Sequence, residues 1–433
     1  MTVFAERRSR VLSALGAEGA LLVPAAPELF IGGDTDVRYV PAADLYYLTG
    51  YTEPEAVLVL CPSAEQAFTL FVRPRDPERE RWTGVRGGVE SARAAFGADA
   101  AHPIGELAQR LPVLIAGASV LHAPLRSERP EVDAAIGAAL SAARRASPRT
   151  GLGVRGITDA GVLLGPLRVR KDAHEIEALR AAADITVCAF EEAARAVRGA
   201  SHEYVVEATI EHAFRSRGAS GPAFPTIAAA GTNATVLHYT ANDAPLAAGD
   251  LLLVDAGARA RMYCADITRT FPVAGRFTTV QRAVYDIVLA TRDAAVASAR
   301  AGRTIADLED AALRVLAGGM VELGLLNGTV ERIIEEREYR RYLPHRLSHW
   351  LGLDVHDAGD YVRGSAPIPL ESGMVLTVEP GLYVPAADTD APAHLRGIGV
   401  RLEDDVLVTD GEPDVLSARL AIRPEEVEAL VGR

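Results

Sequence analysis

The sequence Leu251-Leu-Leu-Val-Asp255-Ala-Gly257 is the most informative for the fold of the second half of this chain, because an apolar run of strand type ends there on a carboxylate. The same pattern returns in Met374-Val-Leu-Thr-Val-Glu379 and in Gly399-Val-Arg-Leu-Glu403. A buried carboxylate without a partner is costly, so it takes up a proton or meets a cation. Three apolar runs that each end on an acid therefore indicate that cations meet these side chains.

Two further residues extend this set of acids. Asp266 follows Asp255 after eleven positions, on what we expect to be the return strand of a β-hairpin. If the two acids are direct cross-strand partners, the turn is centred between Ala260 and Arg261, and their Cβ atoms lie roughly 4.5–5.5 Å apart. His349, in a segment rich in histidine, adds one imidazole to the four carboxylates.

These ligand types predict a centre with two divalent metal ions. Four carboxylates close together raise one another's pKa values, and cations relieve that repulsion. Oxygen ligands with a single imidazole suit manganese first, with zinc, cobalt or iron(II) as alternatives. Two such ions about 3.5–4 Å apart provide a hydroxide near neutral pH and polarise a carbonyl group. The sequence therefore predicts a hydrolase.

Composition narrows the class of protein. The 433 residues are 49% hydrophobic and 24% charged, as in ordinary globular proteins. The net charge of −13 argues against nucleic acid or an anionic membrane as a partner. No apolar run reaches the roughly 18 residues of a membrane span, and the charged segment 1–10 does not resemble a secretory signal, so we expect a cytoplasmic location. The scattered Cys61, Cys188 and Cys264 predict neither a disulfide nor a zinc–thiolate site.

The pattern of predicted helices and strands changes near residue 160. Residues 1–160 contain short apolar strand candidates and helical stretches, which predict a mixed sheet covered by helices. From Lys171–Arg180 a long amphipathic helix begins, with acids in its first turns where the helix dipole favours them. Helices and antiparallel strands are then segregated, so residues 161–433 are predicted to form an α+β domain.

Five segments together resemble the proline-specific branch of the pita-bread metallopeptidases, the aminopeptidase P or Xaa-Pro aminopeptidase family. They are Val254–Gly257, Asp266–Phe271, His345–Asp357, Thr377–Tyr383 and Gly397–Asp404. In the first half, Asp44–Leu60 is similar to that family's creatinase-type domain, so the resemblance spans nearly the whole chain. It implies an α+β fold, with an N-terminal creatinase-type α/β domain in residues 1–160 and a C-terminal pita-bread catalytic domain in residues 161–433.

The resemblance implies which residues ligate the metal ions. The family pattern places these ligands on Asp255, Asp266, His349, Glu379 and Glu403, with Glu403 bridging both ions. All five positions of the pattern are filled by the expected residue type.

The same pattern implies five catalytic residues. His238 and His356 would contact the substrate or the oxyanion, His345 flanks the site, Glu379 also shuttles the proton, and Arg401 orients the site. Taken alone, any one histidine is more often structural, and Arg401 with its neighbouring acid fits a surface strand. Their joint occurrence favours catalysis.

The activity implied by the resemblance is that of a dinuclear metallo-aminopeptidase. It releases the first residue from peptides with proline at the second position, by attack of a metal-bridging hydroxide on the Xaa-Pro bond. That bond is a tertiary amide without an N–H group, so a site that relies on metal ions suits it. The resemblance also implies a homodimer or homotetramer.

Two alternatives stay open at this point. An Xaa-Pro dipeptidase (prolidase) shares all the catalytic residues, and Arg363 or Arg401 could hold a dipeptide's carboxylate. The stretch between His356 and Glu379 is nevertheless shorter than in prolidases of the longer eukaryotic type. A non-catalytic peptide-binding module on the same fold usually loses metal ligands, which this chain retains.

Two departures from the family pattern are expected to alter details only. Met262 stands in the hairpin turn where relatives usually carry glycine, and Phe224 stands where they often carry tyrosine. The first concerns turn geometry, and the second concerns the substrate pocket.

Overall fold

The computed structural model describes residues 2–432, and the chain divides into two compact units, Met1–Leu167 and Arg168–Arg433. The division falls within the helix Gly161–Val169, a few residues after the position where the sequence places the domain boundary. Among the described residues, we find no helix with the length and apolar character needed to cross a bilayer.

The first unit is built on a mixed sheet. Its strands are β1 (Gly19–Pro24), β2 (Phe30–Ile31), β3 (Thr35–Asp36), β4 (Val57–Leu60), β5 (Phe68–Val72), β6 (Ala100–Pro103), β7 (Val120–His122) and β8 (Gly156–Thr158). Six of them form one sheet in the order β6-β5-β4-β1-β7-β8, and β2 pairs with β3 in a separate hairpin. β1 pairs antiparallel with β4 and parallel with β7. This arrangement confirms the mixed sheet predicted from the sequence.

Helices cover this sheet and bury it on both faces. They are α1 (Val3–Leu15), α2 (Ala43–Thr49), α3 (Pro77–Thr83), α4 (Gly88–Phe96), α5 (Leu107–Leu114), α6 (Pro130–Thr150) and α7 (Gly161–Val169), with a 3-10 turn at Ile104–Glu106. Leu111 and Ile136 pack in one apolar cluster with Leu22, Val57 and Phe71. Continuous apolar strands are typical of a sheet that is covered in this way.

The second unit contains long helices with strong start signals. They are α8 (Ala173–Val197), α9 (Glu203–Ser216), α10 (Thr279–Ser298), α11 (Ile305–Glu322), α12 (Val330–Glu335) and α13 (Pro424–Val431). Capping boxes begin α8, α10 and α11, where a side chain at the N-cap and one three residues later satisfy free N–H groups. The long helix predicted to begin at Lys171–Arg180 is confirmed as α8.

The strands of the second unit form several small antiparallel sheets. They are β9 (Gly221–Pro222), β10 (Ile227–Ala230), β11 (Leu251–Ala256), β12 (Ala258–Ala260), β13 (Tyr263–Cys264), β14 (Ile267–Pro272), β15 (Val362–Arg363), β16 (Ala366–Pro367), β17 (Val375–Val378), β18 (Gly381–Tyr383), β19 (Gly399–Arg401), β20 (Asp404–Leu407) and β21 (Asp414–Val415). The sheets are β10-β11-β14, β13-β12-β9, β17-β20-β21, β18-β19 and β15-β16. The α+β class expected for this half is confirmed.

The hairpin that carries the first two acids differs from the prediction. Asp255 in β11 pairs with Thr268 in β14, not with Asp266. Ala260 pairs with Tyr263, so the turn is centred between Arg261 and Met262, one residue later than predicted. Asp266 stands two residues before the partner of Asp255, which makes the two acids diagonal neighbours.

Backbone geometry explains why the turn was misplaced. Arg261 and Met262 have φ angles of 50° and 75°, the left-handed form that two-residue hairpin turns demand and that glycine or asparagine adopts more easily. The two backbone segments of the hairpin also approach closely at Gly257, where an added Cβ would lie 1.6 Å from the carbonyl oxygen of Ala265. The sequence of the turn itself carries no signal for this geometry.

Candidate metal centre

A cavity of about 560 Å³ lies in the second unit, and every residue that the sequence singles out as a ligand or catalytic group lines it. These residues come from separate stretches of the chain that meet only in the fold. They are Asp255, Asp266, His349, Glu379 and Glu403 as predicted ligands, with His238, His345, His356 and Arg401 as predicted catalytic residues.

The ends of strands place the acids. Asp255 lies near the end of β11, and Glu379 directly follows β17. Glu403 lies between β19 and β20, where its backbone forms an isolated bridge with Thr268 of β14. Asp266 directly precedes β14. The small sheets of the second unit therefore converge on one set of carboxylates.

Hydrogen bonds fix the orientation of His349. Its backbone N–H donates to the hydroxyl of Thr377 over 3.1 Å, and its Nδ1 donates to the carbonyl of Trp350 over 3.0 Å. Because a carbonyl only accepts, Nδ1 carries the hydrogen and Nε2 keeps a free lone pair. That Nε2 lies 3.4 Å from Asp266 Oδ2 and 3.6 Å from Glu379 Oε1. The ring is oriented as a metal ligand.

The donor atoms around this ring leave a space that suits a cation. Ligand atoms of Asp266, His349 and Glu403 all lie within 4.8 Å of one another. Oδ1 of Asp255 is buried and has no hydrogen-bond partner, although its Oδ2 accepts from Arg401 over 2.6 Å. A buried carboxylate oxygen without a donor is costly, so these residues fit divalent metal ions.

The acids of the cavity oppose ionisation in one another. Burial, followed by the charge of Asp255, raises the pKa of Asp266 well above its usual range. Burial and then the charge of Asp266 do the same to the pKa of Glu403. Burial raises the pKa of Glu379 to about 7, although nearby His349 partly offsets it. Cations that stabilise the charged forms would remove this conflict.

Arg401 joins the acids to a tyrosine that the sequence did not single out. Its buried guanidinium donates to Asp255 over 2.6 Å, to the Thr268 hydroxyl over 3.1 Å and to the Tyr383 hydroxyl over 3.0 Å. The Tyr383 hydroxyl in turn lies 2.9 Å from Nε2 of His345. Since Arg401 can only donate, the tyrosine accepts from it and donates to the histidine.

His345 is held as a neutral imidazole. Its Nδ1 bonds the carbonyl of Arg346 over 2.6 Å and lies 3.4 Å from Oε2 of Glu379. Burial, followed by the charge of Arg401, lowers the pKa of His345 to about 4. The ring therefore donates through Nδ1 and accepts through Nε2 at neutral pH.

The pairing of two short strands provides the signal that could have found Tyr383. In the β18–β19 ladder, Arg401 pairs with Gly381 and Tyr383 pairs with Gly399. Arg401 and Tyr383 are diagonal neighbours, and Gly381 leaves room for the tyrosine ring. A Cβ at Gly381 would lie 2.3 Å from the tyrosine hydroxyl.

Two further histidines complete the cavity from loops. The rings of His349 and His356 meet edge to face with centroids 4.4 Å apart. Burial, followed by the charge of His349, lowers the pKa of His356. His238 is exposed on the loop that follows β10. Both His238 and His356 therefore face the cavity without being among the clustered ligands.

The rest of the wall is largely apolar and includes Phe224, one of the two departures from the family pattern. Its neighbours are Pro225, Ile227, Leu237 and Val355. Asp405 was also not singled out by the sequence. Both of its oxygens accept from the backbone N–H of Asp266 over 3.2 Å, so it supports a predicted ligand from behind.

Comparisons with known proteins agree across the whole chain. Metallopeptidase family M24 matches residues 177–410, and the aminopeptidase P N-terminal domain matches residues 4–122. An Xaa-Pro aminopeptidase of Escherichia coli (strain K12) is 39% identical over 430 residues, which cover 99% of this chain and 97% of that protein.

Solved structures give the same result. An aminopeptidase of Pseudomonas aeruginosa superposes with a TM-score of 0.94 at 39% identity, covering 99% of this chain and 97% of the other. A zinc-substituted Escherichia coli aminopeptidase P in complex with product has a TM-score of 0.93 at 39% identity, with 99% and 98% covered.

Proposed function

The chain belongs to metallopeptidase family M24, as one of its Xaa-Pro aminopeptidases, and from this premise we propose which of its residues carry the reaction. It is a metallo-aminopeptidase that releases the first residue from peptides with proline at the second position. The observation that carries the proposal is the meeting of Asp266, His349 and Glu403 beside the partnerless Oδ1 of Asp255 in one cavity.

We propose that two divalent metal ions bind at Asp255, Asp266, His349, Glu379 and Glu403. Four carboxylates with one imidazole favour manganese, and a zinc-substituted relative makes zinc the first alternative. When bound, the ions would lower the pKa of a water molecule and polarise the scissile carbonyl. The raised pKa values of Asp266 and Glu403 support this assignment, because burial and the neighbouring acids outweigh the charge of Arg401 at both carboxyl groups.

Glu379 is proposed to move the proton. It is partly exposed to the cavity, and its Oε2 lies 3.4 Å from Nδ1 of neutral His345. A carboxyl group at this position can take a proton from water and return it to the departing proline nitrogen. His345 is fixed by Tyr383, whose hydroxyl is held by Arg401. This chain of hydrogen bonds links the orientation of His345, which lies beside Glu379, to that of Asp255.

His238 and His356 are proposed to contact the substrate carbonyl and the oxyanion. The pKa of His356 is lowered, so its ring is neutral and can donate a hydrogen bond without adding a charge. Donors placed where negative charge develops stabilise the transition state most. The apolar wall of Phe224, Ile227 and Leu237 is proposed to receive the side chain of the first residue or the proline ring.

The dipeptidase alternative loses its two candidate carboxylate binders. Arg363 lies on β15, outside the described residues that line the cavity. Arg401 lines the cavity but already donates to Asp255, Thr268 and Tyr383. Neither arginine is placed to hold the free carboxylate of an Xaa-Pro dipeptide.

We also propose a division of labour between the two halves and an assembly. Residues 1–160 would form the domain that limits access and builds a homodimer or homotetramer, and residues 161–433 the catalytic domain. Exposed apolar side chains in the first unit support this: Phe30 is 55%, Ile31 68% and Trp82 89% exposed. Light scattering coupled to size exclusion tests it, and a monomer would contradict the proposal.

The free thiols of the cysteines agree with the proposed cytoplasmic location.

The experiment that tests the function compares substrates of increasing length. The protein is stripped with a chelator, manganese is restored, and release of the first residue is followed for an Xaa-Pro dipeptide, an Xaa-Pro-Xaa tripeptide and longer peptides. Manganese-dependent cleavage of the longer peptides is expected. Cleavage of the dipeptide alone would make the protein a dipeptidase, and cleavage of none would overturn the peptidase assignment.

A further inference from the structure

Glu203 is a buried carboxylate outside the cavity that the reaction described above does not use. It is the first residue of α9 and is 0% exposed. Its Oε1 accepts from the Ala230 N–H over 2.7 Å and from the Asn233 amide over 3.0 Å. Its Oε2 accepts from the Tyr239 hydroxyl over 2.8 Å and from the Ala244 N–H over 2.9 Å. All the donors belong to residues 230–244, named here the His238 segment.

The charge of Glu203 is matched to these neutral donors. Each carboxylate oxygen has two acceptor positions, and each oxygen here meets two donors. The amino end of α9 adds a favourable dipole for a negative charge. Burial, and then the bond to Glu203, raises the pKa of Tyr239 to about 12, so this hydroxyl remains a donor. Glutamine at this position would present an NH₂ group to two of the donors.

The bonds from Glu203 lie on both sides of His238. Asn233 and Ala230 precede the histidine, and Tyr239 and Ala244 follow it. The histidine itself is exposed and lines the cavity, so its position depends on how its segment is held. Glu203 therefore ties down a loop at four points while leaving the ring of His238 free to meet a substrate.

A second anchor links the same segment to β10, the neighbour of the strand that carries the predicted ligand Asp255. The Asn242 side chain accepts from the Ala228 N–H over 2.9 Å and donates to the Thr226 carbonyl over 2.8 Å. These bonds hold the segment against β10, where Ile227 pairs with Asp255. The His238 segment is thus fixed relative to both α9 and the cavity.

We propose that Glu203 is a positioning residue for Xaa-Pro hydrolysis, which acts by holding the His238 segment so that His238 reaches the substrate; this rests on the function proposed above. Glu203 touches no group that reacts. Its contribution passes through His238, so the effect of losing Glu203 should depend on whether His238 is present.

A double-mutant cycle tests this dependence. Glu203→Gln, His238→Ala and the combined variant are compared with the wild type, all loaded with manganese, on an Xaa-Pro-Xaa tripeptide. We expect Glu203→Gln to lower kcat by about tenfold or more with little change in KM, because the displaced group acts in the transition state. In the His238→Ala background the same change should cost less than about twofold. Equal losses in both backgrounds, or no loss in either, would overturn the proposal.

A milder variant and a control keep the result interpretable. Tyr239→Phe removes one of the four donors without placing a new group, so it tests the same coupling if Glu203→Gln folds poorly. We expect a smaller kcat loss that also disappears without His238, and a loss that persists would count against the proposal. Glu428→Gln, which alters another loop-holding glutamate that accepts from the Phe277 N–H over 3.0 Å, should leave kcat unchanged.

Hydrogen exchange separates this inference from the proposed function. Glu203→Gln should speed exchange at the backbone amides of residues 231–244 and leave those of β11 unchanged. If the wild type cleaves no Xaa-Pro peptide, the proposed function fails whatever the exchange shows. If the wild type is active but exchange in the segment is unaltered by Glu203→Gln, the positioning role fails alone.

Discussion

Glu403 and Asp404 are neighbours in sequence, and both are buried acids, yet they belong to opposite kinds of site. Successive residues of an extended chain project to opposite faces. Glu403 faces the cavity, where burial and other acids raise its pKa. Asp404 faces the other side, where it accepts from Arg269 over 2.7 Å and from Nε of Arg292 over 2.7 Å. Burial alone would raise its pKa, but these guanidiniums outweigh burial and lower it.

Asp357, beside the cavity, resembles Asp404: it is a buried acid that is paired with cationic side chains. One of its oxygens bonds Arg168, and the other bonds Lys171, the only lysine of the chain, over 3.0 Å. Burial opposes its ionisation, yet Lys171 and then Arg168 lower its pKa. Asp357 and Asp404 therefore receive their cations from the chain, whereas Asp266, Glu379 and Glu403 in the cavity require cations from outside.

The largest effect is expected from substitution of an acid in the cavity. Glu403→Gln should reduce manganese-dependent activity by roughly a thousandfold, since a metal ion contributes several kcal/mol to the transition state and each tenfold in rate is about 1.4 kcal/mol. Removing one of the mutually repelling charges should leave the chelated protein at least as stable as the wild type. Kinetics with restored manganese and urea unfolding in chelator measure both. A clear loss of stability in chelator would place Glu403 with the structural acids.

Substitution of the next residue, Asp404, should have the opposite effect on stability and lower it. Asp404→Ala leaves Arg269 and Arg292 without the carboxylate that they share, and breaking such a buried pair costs about 3–5 kcal/mol. Urea unfolding should show this loss in chelator as well as in manganese. If Asp404→Ala unfolds like the wild type, the guanidiniums find water or another acceptor, and the distinction between the two acids fails.

The two kinds of acid should also give stability opposite pH dependences. Asp266, Glu403 and Glu379 have raised pKa values in the folded state, that of Glu379 being about 7. Between about pH 4.5 and 7 the folded chain then binds more protons than the unfolded chain, so the stability of chelated protein falls as pH rises. Saturating manganese should abolish that fall, because the ions bind the deprotonated ligands.

At lower pH the paired acids dominate. The depressed pKa values of Asp357 and Asp404 contribute stability that is present above about pH 4 and lost as pH falls through their folded pKa values. Thermal unfolding from about pH 3 to 8, with chelator and with manganese, separates the two regimes. Identical curves with chelator and with manganese would show that ionisation of the cavity acids does not destabilise the metal-free protein.

The smallest expected effect concerns backbone strain in the hairpin turn. It tests whether this strain, and not charge, determines the geometry of the metal centre. Met262→Gly should relieve a left-handed conformation and stabilise the protein by at most about 1 kcal/mol, with no change in kcat. Ala260→Gly, two residues earlier in β12, should destabilise by about 0.5–1 kcal/mol, because glycine weakens a strand. A change in kcat on Met262→Gly would mean that the turn helps to place Asp266.

How much of this the sequence could predict depends on the range of the interaction. Acids at the ends of apolar runs were recognisable because burial and charge conflict locally, and the long helix after residue 170 was recognisable from its amphipathic pattern and the acids in its first turns. Glu403 was recognisable as the acid that ends the run Gly399–Leu402, but local chemistry gave no role to the adjacent Asp404 and Asp405. The partners that separate these three acids, such as Arg269 and Arg292, lie far away in sequence.

The errors and omissions follow the same rule. The hairpin register was wrong by one residue on each strand because Arg261 and Met262 adopt left-handed angles that their side chains do not announce. Tyr383 was missed because it meets Arg401 only through the pairing of β18 with β19. Glu203 at the start of a helix resembles an ordinary dipole-favoured acid, and its role is visible only where the His238 segment folds back onto it.

A calorimetric titration of chelated protein with manganese, near pH 6 and in buffers of different ionisation enthalpy, tests most directly whether the cavity acids require cations from outside. The acids of the cavity hold protons that metal ions must displace, so we predict about two ions per chain and release of at least about one proton. Asp404→Asn, which alters a paired acid, should not change the proton release. Manganese binding without proton release, or no binding at all, would contradict the claim that these buried acids await outside cations.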